Sequence, residues 1–229
     1  MTEPTALIIG ASRGLGLALA EEYLERGWRV VATVRGAGRT VLHDVAVRYD
    51  RLEIETVDIA KDVQIVALYD RLVGRSFDLL FVNAGVTNDP EEPIGSVSTE
   101  EFVRVMVTNA LGPMRVIETF AGLVPPGGTI GVMSSGLGSI GDNLSGGWEV
   151  YRGSKATLNM LMCSFAVRDS RNRRTYLIMA PGWVRTDMGG AEADLSIAES
   201  IPHVVDTITA QSGKPGLQYL DYRGRTVPW

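Results

Sequence analysis

The chain has 229 residues, 45% of them hydrophobic and 21% charged, with a formal net charge of −5. That length suits one large α/β unit with a substantial core, and the expected organisation is a single domain over residues 1–229. The acidic balance argues against general nucleic-acid binding and against attraction to anionic membranes.

In chain order, apolar runs suited to buried strands fall at Ala6–Ile9, Arg29–Val34, Leu52–Val57, Leu79–Asn83, Thr129–Met133, Tyr176–Met179 and Leu217–Leu220. Helical periodicity lies between them, at Leu15–Arg26, Val41–Tyr49, Asp62–Leu72, Thr99–Leu123, Tyr151–Val167 and Pro202–Gln211. Ser98 with Glu101 reads as a capping box for the fourth helix. Pro202 suits a first helical turn, so the last helix is expected to begin there, after a looser stretch from Met188 to Ser200. Arg168, Arg171, Arg173 and Arg174 gather at a helix end, where a solvated cluster is expected. Strands alternating with helices predict a doubly wound parallel sheet of about seven strands, Rossmann-type, with helices on both faces. No repeat or low-complexity linker marks a second domain.

The first strand ends at Gly10 and is followed by Ala11, Ser12, Arg13, Gly14, Leu15 and Gly16, where a helix begins. Strand, tight glycine turn and helix form the layout of a dinucleotide-binding crossover. Glycine lets the backbone approach a pyrophosphate, and the helix N-terminus offers unpaired N–H groups to that anion. The spacing is Gly-x-x-x-Gly-x-Gly, and a glycine triplet by itself is often just a turn.

Tyr151 and Lys155 stand one helical turn apart, so both project from one face. A phenol is a poor acid or base at neutral pH. A neighbouring ammonium favours the phenolate, so Lys155 is expected to lower the Tyr151 pKa into a useful range. Such pairs are also common on solvated helix faces, and this one gains meaning from its company. That company is the glycine turn, the serine pair Ser134 and Ser135, and the Pro181–Gly182 turn.

Together these residues resemble the short-chain dehydrogenase/reductase family over nearly the whole chain. Gly10, Gly14 and Gly16 match its cofactor turn, with Ser12, Arg13 and Leu15 inside it. Asp58, followed by Ile59, matches the acid that contacts the adenine ring. Asn83, Ala84 and Gly85 match its Asn-Ala-Gly motif, and Pro181, Gly182, Val184 and Thr186 match the turn that holds the nicotinamide. Asn109, Ser135, Tyr151 and Lys155 match its catalytic tetrad in order. The stretch from Asp142 to Lys155, the stretch from Pro181 to Gly190 and the segment Gly224–Trp229 resemble the C-factor-like and sniffer-like carbonyl reductases.

The resemblance implies reduction of an aldehyde or ketone by hydride from a nicotinamide. Tyr151 would be the general acid. Lys155 would assist it and hold the nicotinamide ribose, and Ser135 would meet the substrate oxygen. Asn109 would hold a water behind Lys155; its position on an apolar helix face equally suits a polar residue satisfied within the core. Ser134 would be a strand-end hydrogen-bonding residue.

The second strand ends Ala32-Thr33-Val34-Arg35 with no acid to take a ribose 2′-hydroxyl. Arg35 and Arg13 could instead pair with a 2′-phosphate, so NADP(H) is favoured over NAD(H); solvated arginines are the plainer alternative. Leu144, Trp148, Trp183 and Met188 suggest an apolar mouth for the substrate, or else loop packing. A dinucleotide-binding signalling or scaffold protein with little turnover is the competing function, and the intact tetrad argues against it.

Hydrolase chemistry is not expected, since His43 and His203 lie in unremarkable helical contexts. No metal site is expected, since His43, His203 and the lone Cys163 lack ligand spacing. Cys163 rules out an internal disulfide and suits a reducing compartment. No basic-then-apolar leader and no run of bilayer length are present, so a cytoplasmic protein is expected. A homodimer or homotetramer is implied by the resemblance alone.

Overall fold

The structure, a computed structural model, describes residues 3–229. Seven strands form one parallel sheet: β1 (Thr5–Ile9), β2 (Arg29–Val34), β3 (Leu52–Thr56), β4 (Leu79–Val82), β5 (Thr129–Met133), β6 (Thr175–Ala180) and β7 (Gly216–Asp221). Their order across the sheet is β3-β2-β1-β4-β5-β6-β7. The order reverses between β1 and β4, which register Leu7 against Leu80 and Ile9 against Val82. A crevice opens at such a switch point beyond the carboxyl ends of the strands.

Helices cover both faces, which is why the strands read as continuous apolar runs rather than alternating ones. Within β1, Leu7 and Ile9 join one core and Ala6 and Ile8 the other, as a period of two requires. The first core receives α3 (Asp62–Leu72), α5 (Gly112–Phe120) and α6 (Glu149–Arg168) through residues such as Leu68, Ile117 and Leu158. The second receives α1 (Gly14–Glu25), α2 (Val41–Ala46) and α7 (Ile197–Gln211) through Leu19, Leu42 and Val204. α4 (Thr99–Met106) precedes α5.

Several sequence expectations need correction. The helix expected over Thr99–Leu123 is not one α-helix: α4 and α5 are separated by a π-helical turn at Val107–Leu111 and followed by a 3₁₀ turn at Ala121–Leu123. Pro113 has no N–H to return to the Asn109 carbonyl, so the α-helical ladder is interrupted there. Ser98 does accept from the Glu101 N–H, but the Glu101 carboxylate turns to Arg104 instead of closing the box. The last helix starts at Ile197, not Pro202. Ser196 and Glu199 cap it reciprocally, and Pro202 falls in the second turn. Arg174 is not solvated: it is buried, donating to Asp169 at 2.5 Å and to the Val124 carbonyl at 2.7 Å.

Candidate active site

The glycine turn lies at the carboxyl end of β1, against the carboxyl end of β4. Gly10 takes a left-handed φ of +89°, and a side chain there would run into Ala84 at 2.7 Å. A Cβ on Gly16 would stand 2.0 Å from the Gly10 carbonyl oxygen, so α1 starts where only glycine fits. Asn83 locks the arrangement by donating from Nδ2 to that same carbonyl at 2.8 Å. Thr33 on β2 accepts from the Gly10 N–H at 3.0 Å. No side chain caps the first turn of α1, where Arg13 precedes Gly14 and Leu15. Its N–H groups and positive dipole end are left facing the crevice, a cradle suited to a pyrophosphate. Ser12 is half-buried in the turn.

Around this cradle, Arg35 stands exposed at the end of β2. Arg13 is also exposed and pairs with Asp187 at 3.2 Å. Asp58 follows β3, its carboxylate accepting from the Ala60 N–H at 3.1 Å, and Ile59 beside it is buried. Gly182 is left-handed after β6, and the Pro181 carbonyl accepts from the Ser200 hydroxyl at 2.6 Å. Val184 is buried and bridges to Leu195, while Thr186 accepts from the Gly189 N–H at 3.0 Å. The predicted cofactor positions therefore gather on loops at one end of the sheet.

α6 carries Tyr151 and Lys155 on one buried face, at 8% and 3% exposure. The Lys155 Nζ lies 5.7 Å from the centre of the Tyr151 ring and donates to the Met133 carbonyl at 2.9 Å. A Cβ on Gly85 would lie 3.4 Å from both Lys155 Nζ and Asn109 Oδ1, so the Asn-Ala-Gly loop passes between these two groups. Asn109 is fully buried. Its amide accepts from the Val86 N–H at 2.8 Å and donates to the Val86 carbonyl at 2.8 Å. It also donates to Ser154 Oγ at 2.9 Å, and Ser154 in turn donates to the Tyr151 carbonyl at 2.7 Å.

The two serines diverge as successive residues of an extended chain must. Ser134 is buried and donates to Asn159 Oδ1 at 2.7 Å. Ser135 lies close enough to the Tyr151 phenol to draw its pKa down, and its hydroxyl accepts from the Leu137 N–H at 3.1 Å. Ser135, Tyr151, Lys155 and Asn109 are thus brought together beside the glycine-lined crevice.

Electrostatics depart from expectation. Burial pushes the Tyr151 phenol up to about 12; the Ser135 hydroxyl draws it down and the nearby Tyr219 phenol pushes it up. Lys155 does not lower it. Burial pushes the Lys155 amine down to about 8, and its hydrogen bond is spent on Met133 rather than on the phenol. A phenol so placed is protonated at neutral pH but is a weaker acid than a free one, so it gives its proton only to an oxygen on which negative charge builds.

The predicted mouth is partly open. Leu144 is 94% exposed and lines nothing, while Trp183 is half-exposed with its indole N–H on the Gly189 carbonyl at 2.8 Å. Met188 is also exposed. Trp148 stacks edge-on against Tyr151 with ring centres 5.7 Å apart. Its backbone is left-handed, φ 55° and ψ 33°, a conformation uncommon for a bulky residue. Sequence reasoning missed Tyr219, which donates from β7 to the Ser135 carbonyl across 84 residues of chain. No local pattern signals a contact of that kind. Among the described residues, no cluster of His, Cys, Asp and Glu could hold a metal, and no helix is long and apolar enough to cross a membrane.

The short chain dehydrogenase family matches residues 4–211. A short-chain dehydrogenase/reductase from Burkholderia multivorans, solved with bound NADP, superposes with a TM-score of 0.98 at 61% identity, covering 100% of both chains. A carbonyl reductase from Pseudomonas aeruginosa in complex with NADP superposes with a TM-score of 0.92 at 34% identity, again over 100% of each chain. Among curated proteins, the chain is 34% identical to 1-hydroxy-2-glutathionyl-2-methyl-3-butene dehydrogenase of a Rhodococcus strain, over 80% of this chain and 79% of the other.

Proposed function

The chain belongs to the short-chain dehydrogenase family, and from that premise we propose that it reduces an aldehyde or ketone with NADPH. The observation that carries this reading is the placement of the Tyr151 phenol, buried on α6 one turn from Lys155 and near Ser135, beside the glycine crevice. The residues present fit a nicotinamide dinucleotide. Gly10 and Gly16 leave no room for side chains, and the first turn of α1 is uncapped by any side chain. When bound, the reduced nicotinamide supplies the hydride.

The chain's own groups do the rest. The Ser135 hydroxyl holds the carbonyl oxygen, and the Tyr151 hydroxyl gives that oxygen its proton as negative charge builds there. A phenol pushed up to about 12 keeps its proton until the substrate oxygen becomes the stronger base. Lys155 would hold the ribose hydroxyls of the dinucleotide. Asn109 fixes Val86 and, through Ser154, the backbone of Tyr151; a water held behind Lys155 would refill the proton.

Arg35 at the end of β2, where an acid would favour NADH, supports a preference for NADPH, with Arg13 of the glycine turn as a second cation. Trp148, edge-on to Tyr151, supports an aromatic or bulky apolar carbonyl. Exposed Val103, Leu111, Met160 and Val167 support assembly through α4, the π-helical turn and α6 into a homodimer or homotetramer.

The test is NADPH oxidation over a panel of aromatic and aliphatic aldehydes and ketones, with Tyr151→Phe as control. General acid catalysis contributes about 10²–10⁴ in rate, so a loss of that size is expected from the variant. Equal rates for the two proteins would sink the proposal.

A further inference from the structure

Ser135 sits where β5 gives way to a long loop, and its two polar ends point to different neighbours. Its hydroxyl accepts from the Leu137 N–H at 3.1 Å and lies near the Tyr151 phenol. Its carbonyl accepts from the Gly138 N–H at 2.9 Å and from the hydroxyl of Tyr219, which is 1% exposed on β7. Tyr219 registers beside Ile178 of β6. A phenylalanine would fill that space as well, so packing alone does not call for the oxygen.

The loop beyond Ser135 packs closely on α6 at Gly138, where a Cβ would stand 3.0 Å from the Lys155 Cβ, and comes away from the helix at Ile140. An open pocket of about 370 Å³ lies there, lined by Leu137, Ile140, Asn143, Glu149, Arg152 and Ala156. This cavity lies on the side of α6 away from Tyr151, and both Ile140 and Leu144 point to solvent. Apolar contact is scarce from Ile140 onward, and hydrogen bonds hold that part of the loop. Gly138 is tied to Asn159 Nδ2 at 3.2 Å. The Gly141 N–H donates to the Trp229 carbonyl at 2.9 Å. The Trp229 ring lies against Tyr219 with centres 5.5 Å apart, and the Val227 N–H donates to the Tyr219 carbonyl at 2.9 Å. Tyr219 and Trp229 thus form a clamp that grips the loop at Ser135 and at Gly141.

We infer that Tyr219 is a positioning residue for the reaction: its hydroxyl holds the Ser135 backbone so that the Ser135 side chain stays on Tyr151 and the substrate oxygen. Trp229 completes the clamp on the far side. The inference rests on the proposed reduction for its catalytic consequence, but the clamp itself is a property of the chain alone. A serine hydroxyl displaced by a fraction of an ångström no longer meets the developing charge. Tyr219 acts through Ser135 and touches no reacting atom.

The experiment uses Tyr219→Phe, which removes one oxygen and leaves the ring on Trp229, in wild-type and Ser135→Ala backgrounds. Hydrogen exchange is followed at Leu137, Gly138 and Gly141, together with kcat and KM for NADPH and for the best carbonyl of the panel. Exchange at those amides should quicken while the rest of the sheet is unchanged. In the wild-type background kcat should fall on the order of tenfold with KM for NADPH unaltered. In the Ser135→Ala background the same change should cost less than about twofold, because groups acting as a unit are not additive.

A merely structural tyrosine would cost the same in both backgrounds, and that result overturns the inference. Unchanged exchange overturns it as well. Trp229→Leu guards against a folding artefact: it should loosen Gly141 but leave Leu137 protected, and loss of protection across the whole sheet would overturn the clamp. If the wild-type protein turned over no carbonyl, the reduction would fail while the exchange data still decided the clamp.

Discussion

Lys155 donates to the carbonyl of Met133 at 2.9 Å, so the amine one turn along from Tyr151 is anchored to the end of β5. That bond ties α6 to the strand from which Ser135 emerges. The same burial that makes the contact possible also penalises the charge, pushing the amine down to about 8. The ammonium is thus a costly group kept inside the fold at the place where the dinucleotide ribose is proposed to lie.

Replacing Lys155 by methionine should make the protein more stable at neutral pH while removing activity. Below about pH 8 the amine is protonated in both states, and the native state carries the full cost of a buried charge. Between there and the ordinary lysine value near 10.5 the native state has lost the proton and the unfolded chain has kept it, so stability rises with pH. Above that range both are neutral. The cost is on the order of 3 kcal/mol, reduced by the lost Met133 hydrogen bond to roughly 2 kcal/mol. Melting temperatures against pH should show Lys155→Met ahead at pH 7 and the gap closing by about pH 10.5. Tyr151 works oppositely above pH 10, where the native phenol stays neutral, but it does so in both proteins and cancels. A gap that stayed constant with pH would contradict the buried-charge account.

Asn109→Ala should be strongly destabilising whatever its effect on catalysis. The amide side chain serves the Val86 N–H, the Val86 carbonyl and Ser154 within a fully buried site. Truncation leaves at least one backbone group unpaired, at about 1–3 kcal/mol each. For a chain of this size that corresponds to a fall of about 2–12 °C in Tm, read by calorimetry. A drop below about 2 °C would mean that water replaces the amide at no cost.

The fold was legible because of where the sheet lies. β1, β4, β5 and β6 are covered on both faces, so each reads as an unbroken apolar run bounded by Gly10, Asn83, Ser134 or Pro181. The glycine turn was legible because its backbone conformation restricts residue type. The π-turn was not: Gly112-Pro113 inside a helical pattern signals an interruption, but not that Asn109 would face Gly85 and Lys155. The start of α7 is set by the reciprocal hydrogen bonds of Ser196 and Glu199, which override the first-turn preference of Pro202. The phenol's pKa was misjudged because sequence spacing shows a neighbouring amine but not the burial that outweighs it. The Tyr219–Ser135 bond is tertiary throughout, and nothing near either residue announces the other.

Trp148 should tolerate glycine better than alanine. Its left-handed backbone carries strain of about 1–3 kcal/mol for a residue with a side chain. Alanine keeps that strain and loses the ring contact with Tyr151, worth about 0.5–1.5 kcal/mol. Glycine loses the contact and sheds the strain. Trp148→Gly should melt near the wild-type temperature and Trp148→Ala a few degrees lower, the reverse of ordinary helix propensity. Both should also lose much of any preference for aromatic over aliphatic aldehydes. Identical melting of the two variants would show that the backbone at 148 relaxes once the indole is gone.

Arg35 should decide the choice between dinucleotides. It stands exposed at the end of β2, whereas Arg13 is already shared with Asp187 at 3.2 Å. A 2′-phosphate near the end of β2 would draw chiefly on Arg35, through a charge-assisted contact worth about 1.5 kcal/mol or more. Arg35→Ala should therefore raise KM for NADPH on the order of tenfold and leave NADH within about twofold. Added salt should narrow the difference, since both groups are solvated. Asp187→Asn would release Arg13 and lower KM for NADPH selectively. If Arg35→Ala weakened the two dinucleotides equally, Arg35 would be contacting a part they share, and the preference for NADPH would lose its principal support.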